Sequence, residues 1–171
     1  SGLLLFVSLS IFAKQIIIFI SDISYLDAAR AVPMLAAVVA LMYVNGLFGQ
    51  ILIAADKRKV LVTFSIILVL FNIGLNLILI PRYGFIGAAW STLISEFGIL
   101  IFNLIVTSKI IPLKLNTRTI LVILLATILS ALIFISLDGL LNWLIVLIIG
   151  FIFYLGILWQ FKFLSLSMMK E

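Results

Sequence analysis

The chain has 171 residues, of which 66% are hydrophobic and only 10% are charged. A water-soluble domain is excluded, because such domains are about half apolar and about one quarter charged. A net charge of +5 would suggest a nucleic-acid partner for a soluble protein, but here we expect the lipid bilayer as partner and no nucleic acid. Cysteine and histidine are absent, which excludes disulfides and the usual zinc sites, so neither a metal nor a cofactor is expected.

Six apolar runs are long enough to cross about 30 Å of hydrocarbon as helices. In chain order they cover residues 3–20, 31–55, 60–80, 83–108, 119–137 and 140–161. The connections between them are short, so consecutive helices should be antiparallel neighbours. The sequence therefore predicts an all-α, polytopic transmembrane bundle, with 1–171 forming a single transmembrane domain.

Turn and capping residues separate these runs. Pro33 falls in the first turn of the second helix, where a missing N–H is harmless, and Pro81 should end the third helix. Asn116 or its neighbour Thr117 is expected to cap the fifth helix. Residues 138–139, an Asp-Gly pair, predict a tight turn before the sixth helix.

The basic residues are distributed unequally between the two predicted faces of the membrane. Insertion disfavours translocated positive charge, so the face with more Lys and Arg should be cytoplasmic. The opposite face has only Arg30 and Arg82. Both termini are therefore predicted to be cytoplasmic, together with Lys57, Arg58, Lys59, Lys109, Lys114, Arg118, Lys162 and Lys170.

Two charged residues interrupt the apolar runs, namely Lys14 in the first and Glu96 in the fourth. Each costs about 2.5–3.5 kcal/mol at a bilayer centre, so such residues usually face a partner or a cavity. One interpretation is that both line a polar pathway for substrate or ions. The other is that Lys14 reaches outward to the membrane surface while Glu96 is a buried, neutral, hydrogen-bonded carboxyl.

Carboxamide side chains also occur within the spans. Asn45 lies in the middle of the second helix, and Asn72 and Asn76 share one face of the third. Asn103 follows Glu96 on the fourth helix. These amides either hold helices together through interhelical hydrogen bonds or line the same pathway as Lys14 and Glu96.

Small residues recur every four positions at Gly87, Ser91 and Ser95, a row that permits close helix packing. Packing along this row would turn Glu96 toward the protein interior. Gly46 and Gly49 are expected to serve helix packing too, although a hinge is the alternative.

Motifs of enzymes are missing from the sequence, which has no phosphate-binding Gly-rich loop, no nucleophile elbow and no pair of His ligands. We therefore expect no catalytic residue and no enzyme activity.

The stretch from Ile51 to Glu96 resembles polysaccharide-type flippases of the multidrug/oligosaccharidyl-lipid/polysaccharide transporter superfamily. The matching elements are a short basic loop, an Asn-containing helix, the turn IPRYG and the segment GAAWST, which are Asp56 to Lys59, Asn72 with Asn76, Ile80 to Gly84, and Gly87 to Thr92. The resemblance is to the C-terminal half of such flippases, including O-antigen flippases. Because these proteins have about twice as many spans, the chain is expected to be one lobe of a larger two-lobe transporter whose N-terminal lobe is missing here.

The resemblance implies a multi-pass protein of the bacterial inner membrane that flips undecaprenyl-pyrophosphate-linked oligosaccharides for O-antigen, capsule or exopolysaccharide synthesis. It also implies a cationic cavity in which Lys14 would compensate the pyrophosphate charge and Arg82 would meet the head group. Polysaccharide assembly proteins are a further partner class that the resemblance allows. Two alternatives stay open, namely a multidrug and toxin antiporter of the same superfamily and a non-transporting membrane scaffold subunit.

The predicted orientation places residue 138 on the outer face of the membrane. Because the chain has no cysteine, an Asp138→Cys variant offers a single labelling site. We expect an impermeant maleimide added outside intact cells to label it. Shielding of this residue from the outside reagent would reverse the orientation.

Overall fold

A computed structural model describes residues 2–111 and 116–161 of the chain. Three of the basic residues used to predict the orientation, Lys114, Lys162 and Lys170, lie outside the described residues. Within the described ranges, regular structure is helical and no strand occurs.

Seven α-helices and one 3₁₀ helix follow each other in the part of the chain that the structure describes. The α-helices are α1 (Gly2–Ile11), α2 (Ala13–Ile20), α3 (Val32–Ala54), α4 (Arg58–Tyr83), α5 (Phe85–Ser108), α6 (Thr117–Leu137) and α7 (Trp143–Gln160), and the 3₁₀ helix, Ile23–Arg30, lies between α2 and α3.

Helices α3 to α7 are each long and apolar enough to cross a membrane. Among the described residues there are five such spans, or six if α1 and α2 together form one bent span. Large apolar side chains are exposed along all of these helices, as expected when lipid rather than water surrounds them. The predicted helical, membrane-spanning class is confirmed at this level.

The first predicted span, 3–20, is not one straight helix. It divides into α1 and α2, which are bent by 75° relative to each other at Phe12. Neither Pro nor Gly occurs at the break, but the hydroxyl of Ser8 donates to the carbonyl of Leu5 and that of Ser10 to the carbonyl of Phe6. Serine hydroxyls that bond to the preceding turn compete with the backbone ladder and favour bending.

The ends of the other helices follow local chemistry. The side chain of Asn116 accepts hydrogen bonds from the amides of Arg118 and Thr119, so Asn116 is the N-cap of α6. The side chain of Asn142 likewise accepts from Leu144. This cap explains why α7 begins at Trp143 rather than at the predicted residue 140.

The prediction that Pro81 ends the third helix is wrong by one turn. Helix α4 continues through Pro81 to Tyr83, because a proline in a last turn removes a single backbone hydrogen bond. The amide of Gly84 then donates to the carbonyl of Ile80 at 2.8 Å. Gly84 has φ +58° and ψ −139°, a conformation that favours glycine, and it reverses the chain into α5.

The helices group into two compact units, one formed by α1 to α5 with the 3₁₀ helix and the other by α6 and α7. In the first unit, α5 packs along both α3 and α4, whereas α3 and α4 contact each other little. Helix α5 is therefore the centre of this unit. The buried residues of α5 are small or polar, namely Gly87, Ala89, Ser91, Ser95, Asn103 and Thr107.

The second unit is a pair of packed helices. The ring of Phe134 on α6 lies against Gly150 of α7, where an added Cβ would overlap the ring. The hydroxyl of Ser130 donates to the carbonyl of Gly150 at 3.4 Å. Both Phe134 and Tyr154 are buried, so this unit has an apolar core of its own.

Helices α4 and α5 approach each other closely at Gly87. A Cβ at this position would overlap the Leu79 carbonyl oxygen and lie 2.6 Å from the carbonyl carbon. Gly46 and Gly49 on α3 differ from it, because a Cβ at Gly46 meets no atom within 4 Å and one at Gly49 meets only Leu61 Cδ1 at 3.9 Å. Close backbone packing therefore occurs at Gly87.

We expect Gly87→Ala to destabilise the chain by about 1–3 kcal/mol, because the added methyl group meets backbone that cannot move aside. The matched control is Gly74→Ala in α4, where a Cβ meets nothing within 4 Å and alanine favours the helix. The measurement is unfolding of the two purified variants in detergent micelles. Equal stability of the two variants would contradict the close approach at Gly87.

Candidate functional site

The carboxyl of Glu96 is hydrogen-bonded across the interface of α3 and α5. The Nδ2 of Asn45 donates to Glu96 Oε2 at 2.8 Å and to the Glu96 backbone carbonyl at 3.2 Å. Asn45 is 8% exposed, and Glu96 is half-buried. An acidic side chain in the middle of a span is therefore held by an amide from the neighbouring helix.

Asn103 extends this arrangement along α5. Its Nδ2 donates to Asn45 Oδ1 at 3.3 Å, and its side chain is 4% exposed. Asn45 thus uses both amide hydrogens and its carbonyl oxygen on groups of α5. We call Asn45, Glu96 and Asn103 the carboxyl cluster.

A second polar network joins α4 and α5. Asn76 donates to Asn72 Oδ1 at 2.9 Å, and Asn72 donates to Ser95 Oγ at 2.9 Å. Ser95 donates to the Ser91 carbonyl at 2.8 Å, and the Ser91 hydroxyl donates to Asn76 Oδ1 at 2.5 Å or to the Ala88 carbonyl at 2.9 Å. These four residues form a ring of hydrogen bonds that closes through the Ser91 backbone carbonyl, and we call it the amide ring.

A cavity of about 160 Å³ lies beside the carboxyl cluster, where α3, α4 and α5 meet. Its polar lining is Asn45, Asn103 and Ser65, and the stacked rings of Phe64 and Phe102 form part of its wall. The two ring centroids are 3.6 Å apart and the ring planes differ by 7°. The amides of Asn45 and Asn103 therefore border a cavity whose other walls are mostly apolar.

Two predicted site residues lie outside both networks. Lys14 is exposed on α2, and no hydrogen bond or ion pair joins it to Glu96 among the described residues. Arg82 is exposed in the last turn of α4, away from the middle of the span.

The four-residue spacing of Gly87, Ser91 and Ser95 continues further along α5. Ser91 and Ser95 continue at the same spacing through Ile99 to Asn103 and Thr107 on α5. Asn103 completes the carboxyl cluster. The Thr107 hydroxyl is buried and has no hydrogen-bond partner in the part of the chain that the structure describes.

The carboxyl cluster offers hydrogen-bonding groups at the interface of α3 and α5. One carboxyl and two carboxamides supply oxygen acceptors and N–H donors, while no nucleophile with an adjacent base is among them. No group of three or more acidic residues, Cys or His in the described ranges could hold a metal ion.

Comparison with known proteins does not assign the chain to a family. No protein-family model, curated protein or solved structure matches it. The resemblance of Ile51 to Glu96 to polysaccharide flippases stays a prediction from the sequence.

The hydrogen bond from Asn45 to Glu96 should be measurable by a double-mutant cycle. We expect Asn45→Ala and Glu96→Leu, which removes the side-chain acceptor at similar volume, to show a coupling energy of about 0.6–1.7 kcal/mol, the range of interhelical hydrogen bonds in membranes. The measurement is reversible unfolding in mixed micelles. The control cycle pairs Asn76→Ala with Glu96→Leu, two positions in separate networks, and should give additive effects. Additivity in the first cycle would show that the Asn45–Glu96 bond contributes nothing.

Proposed function

We propose that this chain is part of a membrane transporter that flips undecaprenyl-pyrophosphate-linked oligosaccharide units across a bacterial inner membrane for surface polysaccharide synthesis. The single observation that supports this most is the carboxyl cluster, in which Glu96 lies within a span and is bonded to Asn45, a residue that lines a cavity inside the bundle. Placing a charged residue inside a membrane bundle costs free energy, so residues of this kind mark ion or substrate pathways. The sequence package IPRYG and GAAWST supports this substrate class by resemblance.

The structure offers two kinds of polar group for such a cycle. Glu96, held by Asn45 inside the bundle, would be the site of the coupling ion. Lys14 and Arg82 are exposed on their helices, so they are free to meet a pyrophosphate group, which needs cationic compensation when it leaves water. The undecaprenyl chain would stay in the bilayer.

In this proposal the chain acts as one lobe, and a second lobe of the same protein completes the cavity. Transport would follow rocking of the two lobes about a central site. The amide ring and the close packing at Gly87 would keep α4 and α5 together as one body during that movement. No bond is made or broken in the substrate.

A non-transporting scaffold is the second candidate, and one observation favours it. The side chains of the amide ring hydrogen-bond to one another and to backbone, as polar residues do when they only hold helices together. Lys14 distinguishes the two functions, because a scaffold has no use for an exposed cation within an apolar segment.

The test is complementation of a strain that lacks the gene. Deletion should abolish surface polysaccharide and leave lipid-linked precursor on the inner face. Lys14→Leu should be produced at a normal level yet restore little polymer, whereas Lys14→Arg, which keeps the charge, should restore most of it. Glu96→Gln should insert normally and fail to complement.

Normal polymer in the deletion strain would refute the flippase proposal, and full activity of Glu96→Gln would remove the pathway role of that residue. Complementation by a stable Lys14→Leu variant would favour the scaffold. The mass of the native gene product in its own membrane, read by immunoblot against a C-terminal tag, tests the two-lobe arrangement. A mass well above the 19.0 kDa of this chain is expected.

A further inference from the structure

A groove of about 340 Å³ is open at the surface of α4 and α5. It is lined by Lys59, Val60, Thr63, Phe64, Ile67 and Phe102. Lys59, Val60, Thr63 and Ile67 are exposed, while Phe64 and Phe102 are half-buried. The groove is separate from the carboxyl cluster, although the rings of Phe64 and Phe102 line both cavities.

The polar groups of the groove lie at the first turns of α4. Lys59 and Thr63 are four residues apart and so face the same side of the helix. Lys57 and Arg58 precede them, which places three consecutive cations at this end of the span. The first amides of a helix also lack intrahelical acceptors and favour an anion. The electrostatics at this end of the groove therefore suit a negatively charged group.

The rest of the groove is apolar. Its floor includes the stacked rings of Phe64 and Phe102, and Val60 and Ile67 line the path along the helix into the span. A ligand that fits must be anionic at one end and hydrocarbon at the other. Its charged end would lie at the membrane surface and its apolar end within the bilayer, which is how a phospholipid is oriented.

We propose that this groove binds an anionic phospholipid, with its phosphate against Lys59 and Thr63 and the start of an acyl chain on Phe102 and Ile67. The volume suits a head group and the first carbons of a chain, since ligand pockets measure about 300–1,000 Å³. Basic residues that flank membrane helices attract anionic lipids. Free phosphate would leave the apolar floor of the groove exposed, so a lipid is the expected ligand. The proposal does not depend on the proposed transport function.

The three neighbouring cations provide a matched test, because only Lys59 lines the groove. Native mass spectrometry of the whole chain released from micelles would measure binding of phosphatidylglycerol and of phosphatidylcholine. We expect phosphatidylglycerol to bind at least about fivefold more tightly, and Lys59→Gln to remove most of this preference, as one cation near the surface contributes about this factor. Lys57→Gln, which removes the same charge outside the groove, should change affinity by less than about twofold. Thr63→Val should weaken binding without changing the net charge.

Several outcomes would overturn the proposal. Equal losses in Lys59→Gln and Lys57→Gln would mean that diffuse surface charge attracts the lipid. Equal affinity for the two lipids, or competition by inorganic phosphate at the same concentration, would exclude a phospholipid site. A dimer that forms in place of lipid binding and is broken by Phe102→Ala would assign the groove to a second copy of the chain. All of these variants lie at exposed or half-buried positions, and circular dichroism would verify that each one folds.

Discussion

Inside a bilayer, every amide, hydroxyl and carboxyl group must find its hydrogen-bond partner within the protein or in a wet cavity. Helix α5 meets this constraint on two sides, while its Thr107 hydroxyl has no hydrogen-bond partner among the described residues. Toward α3 it presents Glu96 and Asn103, which share Asn45, and toward α4 it presents Ser91 and Ser95. The central position of α5 follows from this, because most of the long-range polar bonds of the first unit end on it.

Helices α3 and α4 both pack against α5 but contact each other little, which leaves space between α3 and α4. The cavity beside the carboxyl cluster occupies that place, and stacked aromatic rings from α4 and α5 form part of its wall. Polar chemistry inside the bundle and the amphiphilic groove on its surface thus have the Phe64–Phe102 pair in common. A substitution that moves either ring would therefore change both the cavity and the groove.

Composition and hydropathy were sufficient to predict the spans, because a helix of about 20 consecutive apolar residues matches the hydrocarbon thickness of a bilayer. The relation between Asn72 and Asn76 was also readable, since residues four apart on a helix must share a face. The bend at Phe12 was not, because neither Pro nor Gly marks it and serine hydroxyls bend helices only in some contexts. Nor could spacing reveal that Asn45 meets Glu96, since helices distant in sequence pair according to their packing. The single domain predicted for 1–171 stays a prediction.

The separation of bonded partners along the chain has a consequence for biosynthesis. Asn45 and Glu96 are 51 residues apart, so at about 5–20 residues per second the ribosome needs about 3–10 s to make the second after the first. Helix α3 thus reaches the bilayer before α5 does, so Asn45 first faces lipid, other helices or the insertion machinery. The amide ring closes over only 23 residues between Asn72 and Ser95, which lets α4 and α5 leave that machinery as an already bonded pair.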